Sequence, residues 1–198
     1  MGSPLLLVTG FEPFLDVREN PSGRLVEELL ADPPEGLRLA GGVLPVSIER
    51  VPAAYDALLE AAPEPPAALV ALGVQRQAYF RLERRARAAL HSPKRDNDGR
   101  LARGVTLPGA DCLECALDLT VLAAAMDAAG AGDVRISEDA GGYVCERTYH
   151  HVLTRAGELA IPGVFLHVPP LDAVPLDAQR GPVVALLQAV ARRVTARP

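Results

Sequence analysis

Cys145 stands behind Ser137-Glu138-Asp139-Ala140-Gly141-Gly142-Tyr143-Val144, a run that reads as a strand end, a tight glycine turn and a helix start. A thiol at a helix N-terminus feels the positive end of the macrodipole and unpaired N–H groups. Both favour the thiolate, and the same N–H groups can hold an oxyanion developing on an attacked carbonyl. The blander role for such a residue is that of a small buried hydrophobe. Acyl transfer by a thiol also needs a base to take its proton and return it to the leaving amine. Of the four histidines, His91 falls in a charged loop, while His150 and His151 follow Cys145 on one helix, where one of the two should face solvent. His167 ends the apolar run Val164-Phe165-Leu166-His167, and strand ends in open α/β sheets border the crevice that holds such sites. It is the best base candidate, with a backbone-bonded core histidine as the alternative. A carboxylate that fixes the imidazole tautomer would complete the set. Glu83, in Arg81-Leu82-Glu83-Arg84-Arg85, is either that group or a surface partner of a neighbouring arginine.

Cys112-Leu113-Glu114-Cys115 forms a C-x-x-C. Neither a thioredoxin-like context nor a second ligand pair for zinc accompanies it, so it reads as structural or incidental. The sequence has no G-x-G-x-x-G, P-loop or H-E-x-x-H pattern, and no cofactor or metal is expected.

The elements that must position these groups follow from composition and periodicity. A chain of 198 residues suits one domain over 1–198, and 49% hydrophobic with 23% charged residues is an ordinary globular composition. A net charge of −5 with scattered basic residues argues against nucleic acid as a partner. No apolar stretch reaches the roughly 18 to 20 residues of a spanning helix. The N-terminus lacks a basic leader, and three cysteines suit free thiols in a reducing compartment, so a cytoplasmic protein without membrane contact is expected.

Residues 5–9 form a continuous apolar run, as in a strand buried on both faces. Asn20-Pro21-Ser22 starts a helix that runs to about residue 30. Residues 37–46 have strand character, Ser47 caps a helix through residues 48–59, and residues 67–72 form a second buried strand. The alternating segment 79–89 reads as strand, and residues 91–107, with Asp96-Asn97-Asp98-Gly99 as a turn, as a long loop or exposed hairpin. Helices are expected over 110–129, 143–156 and 177–193, and strands over 134–136 and 163–167. This alternation predicts an α/β fold, a single three-layer α/β/α sandwich around a largely parallel (mixed) open sheet.

Several of these motifs together resemble the pyroglutamyl peptidase I family, the pyrrolidone-carboxylate peptidases, which are cysteine peptidases of type C15. They are Val8-Thr9-Gly10-Phe11-Glu12-Pro13-Phe14 followed by Asn20-Pro21-Ser22, Leu82-Glu83-Arg84, the DNDG turn, residues 137–145 as SEDAGGYVC and residues 165–170 as FLHVPP, over nearly the whole chain. The resemblance implies an α/β/α sandwich, no cofactor, and a catalytic triad of Cys145, His167 and Glu83. It implies removal of N-terminal pyroglutamyl (5-oxoproline) residues from peptides through a thioester on Cys145, and assembly as a homo-oligomer, commonly a homotetramer. Phe11 and Phe14 match pocket residues of the family, Tyr143 and Val144 match the opposite wall, and Gln75 stands as the counterpart of a polar substrate-binding residue. Aromatic faces suit a flat neutral lactam, whereas proline would bring a charged amine into such a pocket.

The chain departs from the family pattern over residues 73–77, which are one residue short, and at Ala88, where asparagine is usual. It departs again at Pro93-Lys94-Arg95, where a family arginine lacks a clean counterpart, and at Glu146, where asparagine commonly follows the nucleophile. A carboxylate at 146 should raise the thiol pKa. Two other readings remain at this stage: a homologue that binds pyroglutamate or a related lactam and turns it over poorly, and an oxidoreductase in which Cys112 and Cys115 pair reversibly.

Overall fold

The computed structural model describes residues 2–15 and 17–196. The chain runs through β1 (Leu5–Phe11), α1 (Pro21–Ala31), β2 (Arg38–Leu44), α2 (Val51–Glu60), β3 (Ala68–Val74), β4 (Phe80–Glu83) and β5 (Arg85–Arg87). It continues through β6 (Ala89–Arg95), β7 (Leu101–Thr106), β8 (Cys112–Glu114), α3 (Leu119–Ala128), β9 (Val134–Ser137), α4 (Val144–Glu158), β10 (Gly163–Val168) and α5 (Leu176–Thr195). The main sheet has the order β2-β1-β3-β10-β4-β9 and is parallel except where β4 runs antiparallel to β10.

Strand periodicity sorts the core into two layers. Leu6, Val8, Val70, Leu82, Val164 and Leu166 pack under α1, α3 and α5, while Leu7, Phe11, Leu69, Ala71 and Phe165 pack under α2 and α4. The three-layer α/β/α arrangement with a mixed sheet is the one the alternation of elements predicts. The same parity decides where the polar residues go. His167 is in step with Phe165, and Arg81 and Glu83 flank Leu82, so all three belong to the face that α4 covers. The β10–β4 register pairs His167 with Arg81 and Phe165 with Glu83.

Local chemistry fixes the termini. Asn20 accepts from the Ser22 N–H at 3.1 Å with Pro21 in the first turn, as the sequence predicts, and Ser22 Oγ accepts from the Phe11 N–H at 3.1 Å, tying the end of β1 to the start of α1. Residues 91–107 prove to be the hairpin β6–β7, closed by a turn in which Asp96 accepts from Asp98 and Arg100. No helix among the described residues is long and apolar enough to cross a membrane.

Three expectations change. The helix predicted from residue 48 begins at Val51, because Pro52 lacks an N–H and is accommodated only in a first turn; Ser47 Oγ instead accepts from Arg50 N at 3.1 Å in the preceding turn. The strand predicted over 79–89 splits, β4 staying in the main sheet while β5 pairs with β8. The helix predicted over 110–129 keeps only its second half, for Asp118 caps α3 through the Thr120 and Val121 amides and Cys112–Glu114 is taken up as strand β8.

Candidate active site

The turn before α4 and the strand β10 bring Cys145 and His167 to one cleft of about 800 Å³, which Phe14, Gln75, Arg81, Lys94 and Tyr143 also line. Cys145 is the second residue of α4, whose first residue follows Tyr143 with no side-chain cap, so the helix opens into the cleft with uncapped amides. The approach is made by Gly141 and Gly142 at φ values of 99° and 63°. A Cβ at Gly142 would meet the His91 carbonyl oxygen at 2.7 Å, and the Gly142 carbonyl accepts from the His91 N–H at 3.0 Å, which anchors this turn on the β6–β7 hairpin.

His167 Nδ1 lies 2.7 Å from Glu83 Oε1. With Nδ1–H donating to the carboxylate, Nε2 is left as the acceptor that a general base requires. Glu83 is fully buried, its Oε1 also accepts from Arg81 Nε at 2.6 Å, and its main-chain carbonyl accepts from the Tyr149 hydroxyl at 2.8 Å. Phe165 packs at 4.8 Å, centroid to centroid, against the His167 ring. Of the two readings the sequence leaves for Glu83, the geometry matches the histidine partner.

Burial pushes the Cys145 thiol up to about 12, the Glu83 charge adding to this while Arg81 and Lys94 oppose it. Burial also lowers His167, against the pull of Glu83. Both shifts favour the uncharged forms of the two side chains. Desolvation in this pocket opposes the ionisation that a helix terminus favours.

Beside Cys145 a small side pocket is formed by Phe11, Phe14, Asn20, Val46, Val74, Tyr143 and Val144. The Phe14 and Tyr143 rings stand 6.4 Å apart at 40°, and the Tyr143 hydroxyl donates to the Arg95 carbonyl at 2.7 Å. Gln75 Nε2 donates to the Tyr79 carbonyl, and Gln75 Oε1 is buried without a partner among the described residues. All four predicted apolar wall residues thus meet at one pocket, with Gln75 in the adjoining cleft.

Glu146 is fully buried, and its carboxylate accepts from the Arg87 N–H at 2.7 Å and the Gly142 N–H at 3.1 Å. It adds negative charge near Cys145, as expected, and also clamps the turn that presents it. Gly73 is a residue sequence reasoning passed over. It pairs with His167, and a Cβ there would lie 2.8 Å from Phe165 Cζ and 3.1 Å from Cys145 Sγ. A glycine inside an apolar strand was the available signal for so close an approach. Arg81 and Lys94 were passed over too, since nothing in the sequence shows which arginine or lysine turns inward.

The remaining candidates have structural places. His150 is buried with Nε2 2.9 Å from the Ala110 carbonyl, and His151 is mostly buried with Nε2 2.8 Å from Asp56, so neither is the solvent-facing histidine expected on α4. Cys112 is exposed and Cys115 half-buried, its thiol donating to the Gly163 carbonyl at 3.2 Å, and both are free. Among the described residues no cluster of three His, Cys, Asp or Glu side chains forms a metal site.

The model of the pyroglutamyl peptidase family matches residues 5–197, nearly the whole chain. The chain belongs to the pyroglutamyl peptidase family. The pyrrolidone-carboxylate peptidase of Deinococcus radiodurans is 36% identical over 200 residues, covering 93% of this chain and 88% of that protein. The crystal structure of pyrrolidone carboxyl peptidase from Thermus thermophilus superimposes with a TM-score of 0.79 at 32% identity, covering 92% of this chain and 98% of that one. Pyroglutamyl peptidase I from Bacillus amyloliquefaciens reaches a TM-score of 0.88 at 19% identity, over 96% of this chain, and so shares the pyroglutamyl peptidase fold.

Proposed function

We propose that this chain, acting as one domain over 1–198, is a cysteine exopeptidase that removes N-terminal pyroglutamyl residues from peptides. The observation that carries the reading is the Cys145 thiol at an uncapped helix start in the cleft that His167, bonded to the buried Glu83, also lines, beside an apolar pocket. Membership of the family supports it.

In this mechanism the lactam ring enters between Phe11, Phe14, Tyr143 and Val144, where a neutral ring loses little on desolvation and a prolyl ammonium would lose much. Gln75 lines the adjoining cleft, with its Oε1 buried and unpartnered among the described residues. His167 Nε2 takes the Cys145 proton as sulfur attacks the pyroglutamyl carbonyl, and the oxyanion is held by the Cys145 N–H at the start of α4. His167 then returns the proton to the leaving amine. Water, deprotonated by the same imidazole, releases pyroglutamate from the thioester, while Glu83 holds the tautomer throughout.

A cytoplasmic location rests on composition and free cysteines, and homotetrameric assembly rests on the family resemblance. The test of the activity is release of a fluorescent amine from pyroglutamyl, prolyl and glutamyl amides under reducing conditions. Turnover confined to the pyroglutamyl amide is expected. Tight pyroglutamate binding by folded, reduced protein with no turnover would replace the peptidase by a lactam-binding homologue.

A further inference from the structure

The cleft outside the lactam pocket carries charge opposite in sign to the protein. Its described lining includes Arg18, Arg76, Arg81 and Lys94 against Glu19 and Asp172, in a chain whose net charge is −5. Glu19 already faces Arg24 at 3.5 Å, and Arg81 is committed to Glu83. Arg76 and Lys94 form no salt bridge among the described residues. They come from separate elements. Arg76 follows β3 by two residues, beyond the Val74–Val168 pair that borders the His167 strand, and Lys94 projects from β6 close enough for its charge to act on the Cys145 sulfur.

With the acyl ring in the side pocket and its carbonyl at Cys145, the rest of a peptide must leave through this cationic part of the cleft. We propose that Arg76 and Lys94 make the leaving-group side selective for acidic peptides, so that aspartate or glutamate directly after the pyroglutamyl residue is preferred over its neutral isostere. The inference rests on the peptidase reading above. A concave site lined by one sign of charge focuses the field on its opening, so cations there act on a substrate carboxylate more strongly than the same charges on an open surface.

The test compares kcat/KM for C-terminally amidated pyroglutamyl peptides that differ only in glutamate against glutamine, or aspartate against asparagine, at the second position. The acidic member of each pair should be favoured by about five- to tenfold, more than an exposed ion pair supplies. The ratio should collapse toward one in the Arg76→Gln/Lys94→Gln double variant, and in about 1 M salt, where the screening length falls to about 3 Å. Because Lys94 also acts on the thiol, the ratio within a pair is read rather than the absolute rate. Equal rates for the isosteres, or a preference unchanged in the double variant, would overturn the selectivity while leaving the peptidase standing. Failure to cleave any of the peptides, the glutamine one included, would overturn the peptidase reading and the selectivity with it.

Discussion

One oxygen of Glu83 serves two partners: His167 Nδ1 at 2.7 Å and Arg81 Nε at 2.6 Å both converge on Oε1, while Oε2 has no partner among the described residues. The carboxylate that orients the base is therefore itself held by a cation from the adjacent register position. Glu83→Gln keeps the shape and removes the charge, and should lower kcat by about 10²- to 10⁴-fold, the range general-base assistance spans. Circular dichroism and a melting curve close to those of the parent would place the loss in chemistry rather than folding.

Arg81 depresses His167 through its charge, while Glu83 pulls the other way. Removing Arg81 raises the imidazole pKa, and a base that must be neutral to work is then protonated at higher pH. Arg81→Met should accordingly move the acid limb of kcat/KM upward, a shift that a purely structural arginine would not produce. The measurement is the pH–rate profile of both proteins, and an unmoved acid limb would remove Arg81 from the account.

Burial holds Cys145 as a thiol up to about 12 and keeps His167 below its ordinary 6.5. The parent acid limb should then lie below pH 6.5, with no second limb near neutrality. Inactivation by iodoacetamide, which requires thiolate, should climb about tenfold per pH unit through the neutral range. A rate already flat at pH 6 to 7 would instead reveal a thiolate–imidazolium pair.

Glu146 accepts from two main-chain amides, one of them in the turn that presents Cys145. Glu146→Ala leaves the buried Gly142 N–H and the half-buried Arg87 N–H without their acceptor, at a cost of about 1 to 3 kcal/mol measurable by denaturant titration. A change below 1 kcal/mol would mean that water replaces the carboxylate.

Gly73→Ala introduces a methyl 3.1 Å from Cys145 Sγ and 2.8 Å from Phe165 Cζ. Overpacking of this kind typically costs about 1 to 3 kcal/mol. Because one of the two neighbours is the nucleophile, kcat should fall further than stability suggests. Unchanged kcat together with unchanged stability would contradict the close approach.

The strands with continuous apolar runs, the Asn20 cap and the α4 start were legible because each depends on residues adjacent in the chain. The neighbours of Glu83 leave it between two readings and only the family resemblance places it in the triad, since an acid among arginines looks like a surface residue until β4 is laid antiparallel to β10 and parity turns it inward. The failure over 110–129 has a similar cause. Cys112–Glu114 gains its hydrogen bonds from β5, a partner that local propensity cannot reveal, and only Asp118 marks where the helix begins. The helix start before Cys145 can be read from adjacent residues, whereas the desolvation that pushes its thiol up depends on segments distant in the chain.

The central claim is that Cys145 carries the pyroglutamyl group between two chemical steps. Rapidly quenched reaction with an activated pyroglutamyl ester, followed by peptide mass analysis, should find a thiol-linked pyroglutamyl adduct on the peptide containing Cys145. Neither adduct nor turnover should survive in Cys145→Ala. An adduct on Cys112 or Cys115 alone, or undiminished turnover by Cys145→Ala, would contradict it.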